Sequence, residues 1–458
     1  MLCSLKSKLS NVLKRLNIII IVLLAPMLGM AQERLTLEKC LELAKSNHKR
    51  IEAADFQLQS ARYEKRATFA HYFPTFSITG NGLYATFQGS LGIEDGMLPV
   101  IGTDGLPTGA SAYFPGINLD YRISGVYHAG VQFQQPLFMG GKITAGYKMG
   151  KLGEALASQS RRLTESEVIY ETAQAYTHVV RASEICKVAT SYNNLLTELK
   201  HSVGKAFDRG VKSRNDALKV EVKLNESKLN LQRAENALRL ATMNLCHYIG
   251  YPLTAQIAVD NSFETTKDEK VIADISLRPE VQLLSQKREL MRQKVNMARA
   301  EMLPQLGLFG QYGYTNGLKL NGSKLFDDWN FLIGMQLSIP IGNWSSHAKY
   351  RSAQMQYKQS QAEESEKLEL MELEVTQAIN NLDEAALELR LAESGCASAT
   401  ENLRVSSIQY SVGKESLTNY LEAQTLWLQA EQTLVDAKIN QYLRLLEYKK
   451  KSGTLGSS

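Results

Sequence analysis

Proline is missing from residues 137–251 and again from 341–458. It costs about 3 kcal/mol inside a helix, so both stretches are free to be continuous helix, and they are rich in Ala, Leu, Glu, Lys, Gln and Arg. Glycine is likewise missing from Glu154 to Val203. A helix over that stretch would reach roughly 75 Å, longer than a globular domain needs, and asks for coiled-coil neighbours. Charge of one sign is scarce too. The chain carries +5, and only about +1 once Lys6, Lys8, Lys14 and Arg15 are set aside, which excludes the net basic face of a nucleic-acid binder.

Chemistry-bearing motifs are also missing. The five cysteines (Cys3, Cys40, Cys186, Cys246 and Cys396) lie far apart and form no C-x-x-C, so a zinc or redox motif is unsupported. An exported compartment would permit disulfides, but buried free thiols in helices are the expectation. The seven histidines (His48, His71, His128, His178, His201, His247 and His347) are scattered and form no H-E-x-x-H, and no G-x-S-x-G or phosphate-binding G-x-x-x-x-G-K-[ST] occurs. The sequence therefore gives no catalytic, cofactor or metal-ligating residue, and the expectation is a protein that is not an enzyme.

Long apolar runs are absent except at the start. There, "NIIIIVLLAP" follows the four cations and precedes "GMA", the pattern of a secretory signal over 1–31 cleaved after Ala31. A membrane-spanning helix needs about 20 apolar residues, so none is expected in the mature chain. Cys40 is preceded by "LEK" rather than by small residues, so no lipid anchor is expected either.

What is present falls into two patterns. Leu224, Leu231, Leu238 and Leu245 recur every seven residues, with Val220, Ala234 and Ala241 on the partner position; Ala423, Ala430 and Ala437 repeat beside Trp427 and Leu434. These are coiled-coil stripes. The other pattern has period two. Phe76, Ile78 and Tyr84 alternate with Thr75, Ser77, Thr79 and Asn81, and Tyr127, Ala129, Val131 and Phe133 with His128, Gly130, Gln132 and Gln134. Leu306, Leu308, Tyr312 and Tyr314 oppose Gln305, Phe309 and Gln311, and Phe331, Ile333, Met335, Leu337 and Ile339 oppose Leu332, Gly334, Gln336 and Ser338. Strands are expected at about 74–86, 124–136, 304–315 and 329–340, with an apolar face for lipid and a polar face for a lumen. Four strands cannot close around a channel, so other copies of the chain must complete the sheet.

The chain is a tandem duplication. Gly210, Ser213 and Leu218 reappear 203 positions later as Gly413, Ser416 and Leu421. Pro74 and Pro304 mark helix-to-strand junctions, four residues after Ala70 and Ala300, and Pro136 and Pro340 mark the strand-to-helix returns. The expected layout is a first repeat over 32–249, a linker or equatorial segment over 250–279, and a second repeat over 280–458. The long helices fold back at 209–211 and 412–414, where glycine supplies the cap conformation. The first proline pair is 62 residues apart and the second 36, so the excess, roughly 86–122, is expected to be a long external loop.

On "LTLEKCLELAKSNH" at 35–48, "QPLFMGG" at 135–141, "LRPEV" at 277–281 and "YSVGKESLTNYLEAQTL" at 410–426, the sequence resembles the TolC-like outer-membrane efflux proteins, with both halves in order over about 35–452. The resemblance implies a mixed α and β fold, completed as a homotrimer with a twelve-stranded β-barrel in the outer membrane of a Gram-negative bacterium, above a periplasmic α-barrel. It implies a passive exit duct for small toxic compounds, fed by a periplasmic adaptor and an inner-membrane pump of the resistance-nodulation-division or ATP-binding cassette type. Type I protein secretion is the alternative. A structural coiled-coil protein of the envelope would explain the heptads but not four alternating strands between matched prolines.

The resemblance also implies sites. Arg209, Gly210, Val211, Val412, Gly413 and Lys414 would be the tips that meet the adaptor. Family members can carry two acidic residues three apart after the second tip, constricting the pore; here those positions are Asn419 and Glu422, with Asp216 and Lys219 as first-half counterparts. Tyr410 resembles a tyrosine that latches the closed state, but Glu415 stands where a basic residue is expected, which argues against an identical latch.

Overall fold

The computed structural model describes residues 34–84, 86–260, 274–321 and 323–455. The signal expected at 1–31 lies outside the described residues, as does 261–273 within the expected linker. In chain order the elements are β1 (Arg34–Leu35), α1 (Leu37–Asn47), α2 (Lys49–Ala70), β2 (Thr75–Leu83), β3 (Phe87–Ile93), β4 (Gly96–Ile101), β5 (Pro107–Phe114), β6 (Ile117–Met139), α3 (Lys142–Asp208), α4 (Arg214–Ile249), β7 (Ala258–Val259), α5 (Pro279–Ala300), β8 (Gln305–Leu320), β9 (Ser323–Ser338), α6 (Trp344–Ser411) and α7 (Leu417–Lys451). Among the described residues no helix is long and apolar enough to cross a membrane. The chain divides into two compact units, one of 1–58, 157–285 and 364–458, the other of 59–156 and 286–363.

The first unit is helical. Its hairpins reverse through the same cap chemistry. Gly210 adopts φ 72° and Gly413 φ 80°. Val211 N donates to Ala206 O at 2.8 Å and Gly210 N to Phe207 O at 2.8 Å; Lys414 N donates to Gln409 O at 2.9 Å and Gly413 N to Tyr410 O at 3.1 Å. Each is a six-to-one bond over a five-to-two bond, which closes a helix on a left-handed glycine. The next helix then starts on a serine: Ser213 Oγ accepts from Asp216 N and Ser416 Oγ from Asn419 N, both at 3.1 Å. Gly250 and Gly453, again 203 apart, end α4 and α7 the same way, both with φ 76°.

The heptad stripes face inward. Val220, Leu224, Ala234 and Leu245 are buried on α4, as are Ala423 and Ala437 on α7. One core joins Tyr192, Leu196, Leu199 and Val203 of α3 to Val220 and Leu224 of α4 and to Leu417, Tyr420 and Leu421 of α7. A second gathers Leu35, Cys40, Tyr176, Val179, Leu245, Ile249 and Ile439. Over it, β1 pairs in parallel with β7, a pairing within the expected linker that the sequence did not show. The Tyr176 hydroxyl donates to Asp260 O at 2.6 Å. The four described cysteines are free thiols, and burial, then Cys246, push Cys40 up to about 11.

The second unit holds the sheet, ordered β2-β6-β8-β9 and antiparallel throughout. Pro74 and Pro304 lie just before β2 and β8, and Pro340 lies between β9 and α6. Three expectations need correction. Pro136 is not at the return to helix but inside β6, which runs 117–139 rather than 124–136. The strand tolerates it because β2 pairing ends at Gln134 and the β8 register shifts between Pro136 and Phe138, so the proline sits where the ladder is already irregular. Gly140 and Gly141, with φ 61° and 88°, make the return instead.

The stretch 86–122 is not a loop. β3 pairs with the first half of β6, and β4 with β5. Phe87, Leu91 and Ile93 alternate with Gln88 and Ser90, a period-two signal that the many glycines and prolines obscure. The second hairpin likewise has no wide loop, since β8 and β9 extend to a turn at Asn321, which adopts φ 49°. Asn-Gly is a common sequence signature of a two-residue hairpin turn.

Candidate functional site

Two regions carry the residues that sequence singles out. In the sheet, cross-strand register turns the alternation into rows. On one face lie Phe76–Phe133 and, across β8, Ile333; the next row is Ile78, Val131, Tyr312 and Phe331, and the next Ala129, Tyr314 and Trp329. Tyr312 and Trp329 stack with ring centroids 5.2 Å apart. Ile78 is 87% exposed, so among the described residues nothing covers this part of the apolar face.

The opposite face is neutral and polar. Its rows are Thr75, Gln134, Phe309 and Gly334; Ser77, Gln132, Gln311 and Leu332; Thr79, Gly130, Gly313 and Asn330; Asn81, His128, Thr315 and Asp328. A concavity of about 610 Å³ lies on it, lined by Gln132, Gln134, Gln305, Gln336 and Ser338. His128 Nδ1 is 3.0 Å from Thr315 Oγ1, its other nitrogen meets the Gln311 amide, and Asn330 Nδ2 donates to Thr315 at 3.1 Å. Asp328 is the first carboxylate along these rows. Among the described residues the outer strands β2 and β9 each have one unpaired edge.

The helical tips form the second region. Arg209, Gly210, Val211, Val412, Gly413 and Lys414 are all exposed, Val211 to 73% and Val412 to 62%. A Cβ added at Gly210 or Gly413 would meet nothing within 4 Å. A Gly413→Val substitution therefore costs backbone strain alone, about 1 kcal/mol or more. We expect amide exchange of the Gly413 and Lys414 N–H groups to quicken about fivefold in that variant, with the far end of α7 unchanged; unchanged exchange at the cap would show that the turn does not need glycine.

The residues expected at a gate are brought near one another, each in a different bonding state. Asp216 closes a capping box, its Oδ2 accepting from Ser213 N at 3.4 Å, so its carboxylate is engaged at its own helix start. Asn419 occupies the matching third position of α7. Lys219 Nζ reaches Thr418 Oγ1 at 3.4 Å, and Lys219, Thr418 and Glu422 line one groove of about 550 Å³ with Leu218, Val222 and Leu421. Glu422 is exposed and among the described residues makes no ion pair.

Tyr410 stacks on buried Tyr420, centroids 4.9 Å apart at 15°. Burial, then the Asp216 carboxylate, push its phenol above the usual value. The Lys212 ammonium lies 4.7 Å from the ring centre. Sequence reasoning missed Lys212, although it is the counterpart of Glu415, 203 positions earlier. Glu415 itself accepts from Ser406 Oγ at 2.5 Å, away from Tyr410. The cation missing from one repeat's turn is thus supplied by the other's.

The profile of the family described as outer membrane efflux protein matches residues 40–251 and 275–447. Outer membrane protein TolC of Escherichia coli is 26% identical over 313 residues, 64% of this chain and 62% of that protein. The alkaline protease secretion protein AprF of Pseudomonas aeruginosa is 23% identical over 322 residues, 68% of this chain and 66% of that protein. Among solved structures, the CmeC outer membrane channel of Campylobacter jejuni superimposes with a TM-score of 0.75 at 20% identity, over 91% of this chain and 85% of that one.

Proposed function

The chain belongs to the outer membrane efflux protein family and resides in the outer membrane; from that membership we propose that it is the exit duct of an export machine, open to the cell surface through its strands and to the periplasm through its helices. The observation that carries the reading is the two-faced sheet. An aromatic-rich apolar face left bare in the single chain suits lipid, a neutral amide-lined face suits a wet lumen, and two unpaired edges suit neighbours. Three copies pairing edge to edge give twelve strands, enough to enclose a channel.

Under this reading the protein is passive, and the driving energy belongs to an inner-membrane pump reached through a periplasmic adaptor that seats on the two exposed tips. The cargo is small toxic compounds. The similarity to AprF, named for protease secretion, supports polypeptide cargo as the second reading; the neighbouring gene for a proton-driven pump or an ATP-binding cassette transporter separates them.

Tyr410, Asn419, Glu422, Asp216 and Lys219 form the periplasmic constriction in this proposal, with Glu422 its free carboxylate. The purified protein in a planar bilayer should show single-channel steps and the mass of a trimer. Divalent cations on the periplasmic side should block the current, and Glu422→Ala should weaken that block about tenfold. A protein that never conducts overturns the duct reading, whereas conduction with unchanged block removes only Glu422 from the gate.

A further inference from the structure

His48 joins α1 to α2 and is 7% exposed. Its Nδ1 accepts from Arg50 N at 3.2 Å. A neutral ring in that bond carries its proton on Nε2, so the second nitrogen is a donor, and the described residues give it no acceptor. The ring stacks on Tyr248 at 5.7 Å and meets His247 edge-on at 6.0 Å. It lines a cavity of about 960 Å³. A donor that faces such a cavity is met by water in the free protein, and an accepting ligand atom would take that water's place.

The surrounding charge selects the ligand's sign. Glu52 and Asp55 also line the cavity. Glu52 is paired with Lys49 at 2.8 Å, and Asp55 with Arg161 at 2.5 Å, so both acids are already answered. Lys45 lines the same cavity and makes no ion pair among the described residues. The N-terminus of α2, a 22-residue helix, begins at Lys49 and adds its positive end. Burial, then the charges of His247 and Arg50, hold the His48 ring below its ordinary value against the opposing Glu171 carboxylate.

The second repeat holds the same joint in a filled form. Arg278 is the counterpart of His48, 230 positions on, as Ala300 is of Ala70. It donates to Glu374 at 3.1 Å and to Glu280 at 3.0 Å. Glu374 corresponds to Glu171, 203 positions earlier, but in the first repeat Glu171 is taken by Arg50 at 2.6 Å. The arginine has moved two places along the helix and kept its glutamate. The first-repeat slot is left with a donor, and its carboxylates are already paired elsewhere.

We propose that the His48 cavity is a binding site for a small carboxylate or phosphate anion, held by His48 Nε2–H and Lys45, with His247 at its rim. The site does not depend on conduction. Binding of inorganic phosphate to the full-length protein in detergent, by titration calorimetry at constant ionic strength with chloride as control, tests it. Saturable binding, near one phosphate per chain, is expected, weakened at least tenfold in His48→Phe and about fivefold in Lys45→Gln. Acetate that displaces phosphate assigns the site to carboxylates, and acetate that does not assigns it to phosphates. Heat signals equal to those of chloride overturn the proposal, as do both variants binding like the wild type. Should His48→Phe fail to fold, Lys45→Gln on the exposed last turn of α1 decides alone, and unchanged affinity there is the negative result.

Discussion

The Ile78→Arg variant should disappear from the outer membrane while Ser77→Arg, one residue away, assembles normally. Ile78 shares its row with Val131, Tyr312 and Phe331 on the apolar face; Ser77 shares its row with Gln132 and Gln311 on the polar face. An arginine facing lipid near the midplane of a barrel costs about 2–4 kcal/mol, and a trimer would incur it three times. The same side chain in water costs little, but adds a cation to a wall whose rows are neutral until Asp328. Membrane fractionation and gel mobility of the unheated protein read the first effect. A shift of ion selectivity toward anions in Ser77→Arg reads the second. Equal assembly of the two variants would refute the assignment of faces, and equal loss would show that the sheet accepts charge on neither.

Arg278→Met is expected to lower the stability of the helical unit by about 2–3 kcal/mol, below the upper range for breaking a buried ion pair because its partners are partly wet. Arg278 is 5% exposed, and its guanidinium bridges Glu280 and Glu374, the second of which also meets Lys451 at 2.9 Å. By contrast Arg50→Met removes a half-exposed pair and should cost under about 1 kcal/mol. Urea midpoints compare the two. The pH dependence supplies a second readout. Burial pushes the Glu374 carboxyl up, but the hydrogen bonds from Lys451 and Arg278 outweigh it and leave it below the usual range. A carboxyl lowered by folding stabilises fully above its unfolded value and loses that contribution as pH falls through the folded one. The wild type should therefore weaken below about pH 4.5, and Arg278→Met should show a shallower fall. Equal urea midpoints for both arginine variants would rule out the joint as a stability centre.

The architecture was legible because its signals are periodic or repeated. Missing prolines allow the long helices, the leucine heptads give their buried stripes, and Gly210 and Gly413 stand where a left-handed residue is required. Signals of one or two residues were harder. Asn321 and Gly322 form a dipeptide that means a tight hairpin only when both flanks are strands, and the alternation in each flank reads as shorter than the strand it belongs to. Pro136 looked like a boundary because proline usually lacks a place in a ladder, and only the ends of the neighbouring strands reveal that it has one. Gly250 and Gly453 repeat at the same 203-residue offset as the tip glycines and could have been paired from the sequence. The site residues were less legible still. Lys212 meets Tyr410 across repeats, and His48 is conspicuous only beside Arg278, a correspondence that needs the helix starts aligned rather than the tips.

The seam between β6 and β8 sets an order of events for making the protein. Gln132 pairs with Gln311, and Asp120 exchanges hydrogen bonds with Asn321, across intervals of 179 and 201 residues. Loop closure over such distances is entropically slow unless the intervening chain is already compact. The first hairpin emerges with β6 unable to find its middle partner, and its bare aromatic face must wait through the translocation of α3 and α4. The full sheet cannot close until the second half arrives. A chain stopped before Gln305 would leave the longest strand with an open edge, an invitation to aggregate that escort by a periplasmic chaperone would have to cover.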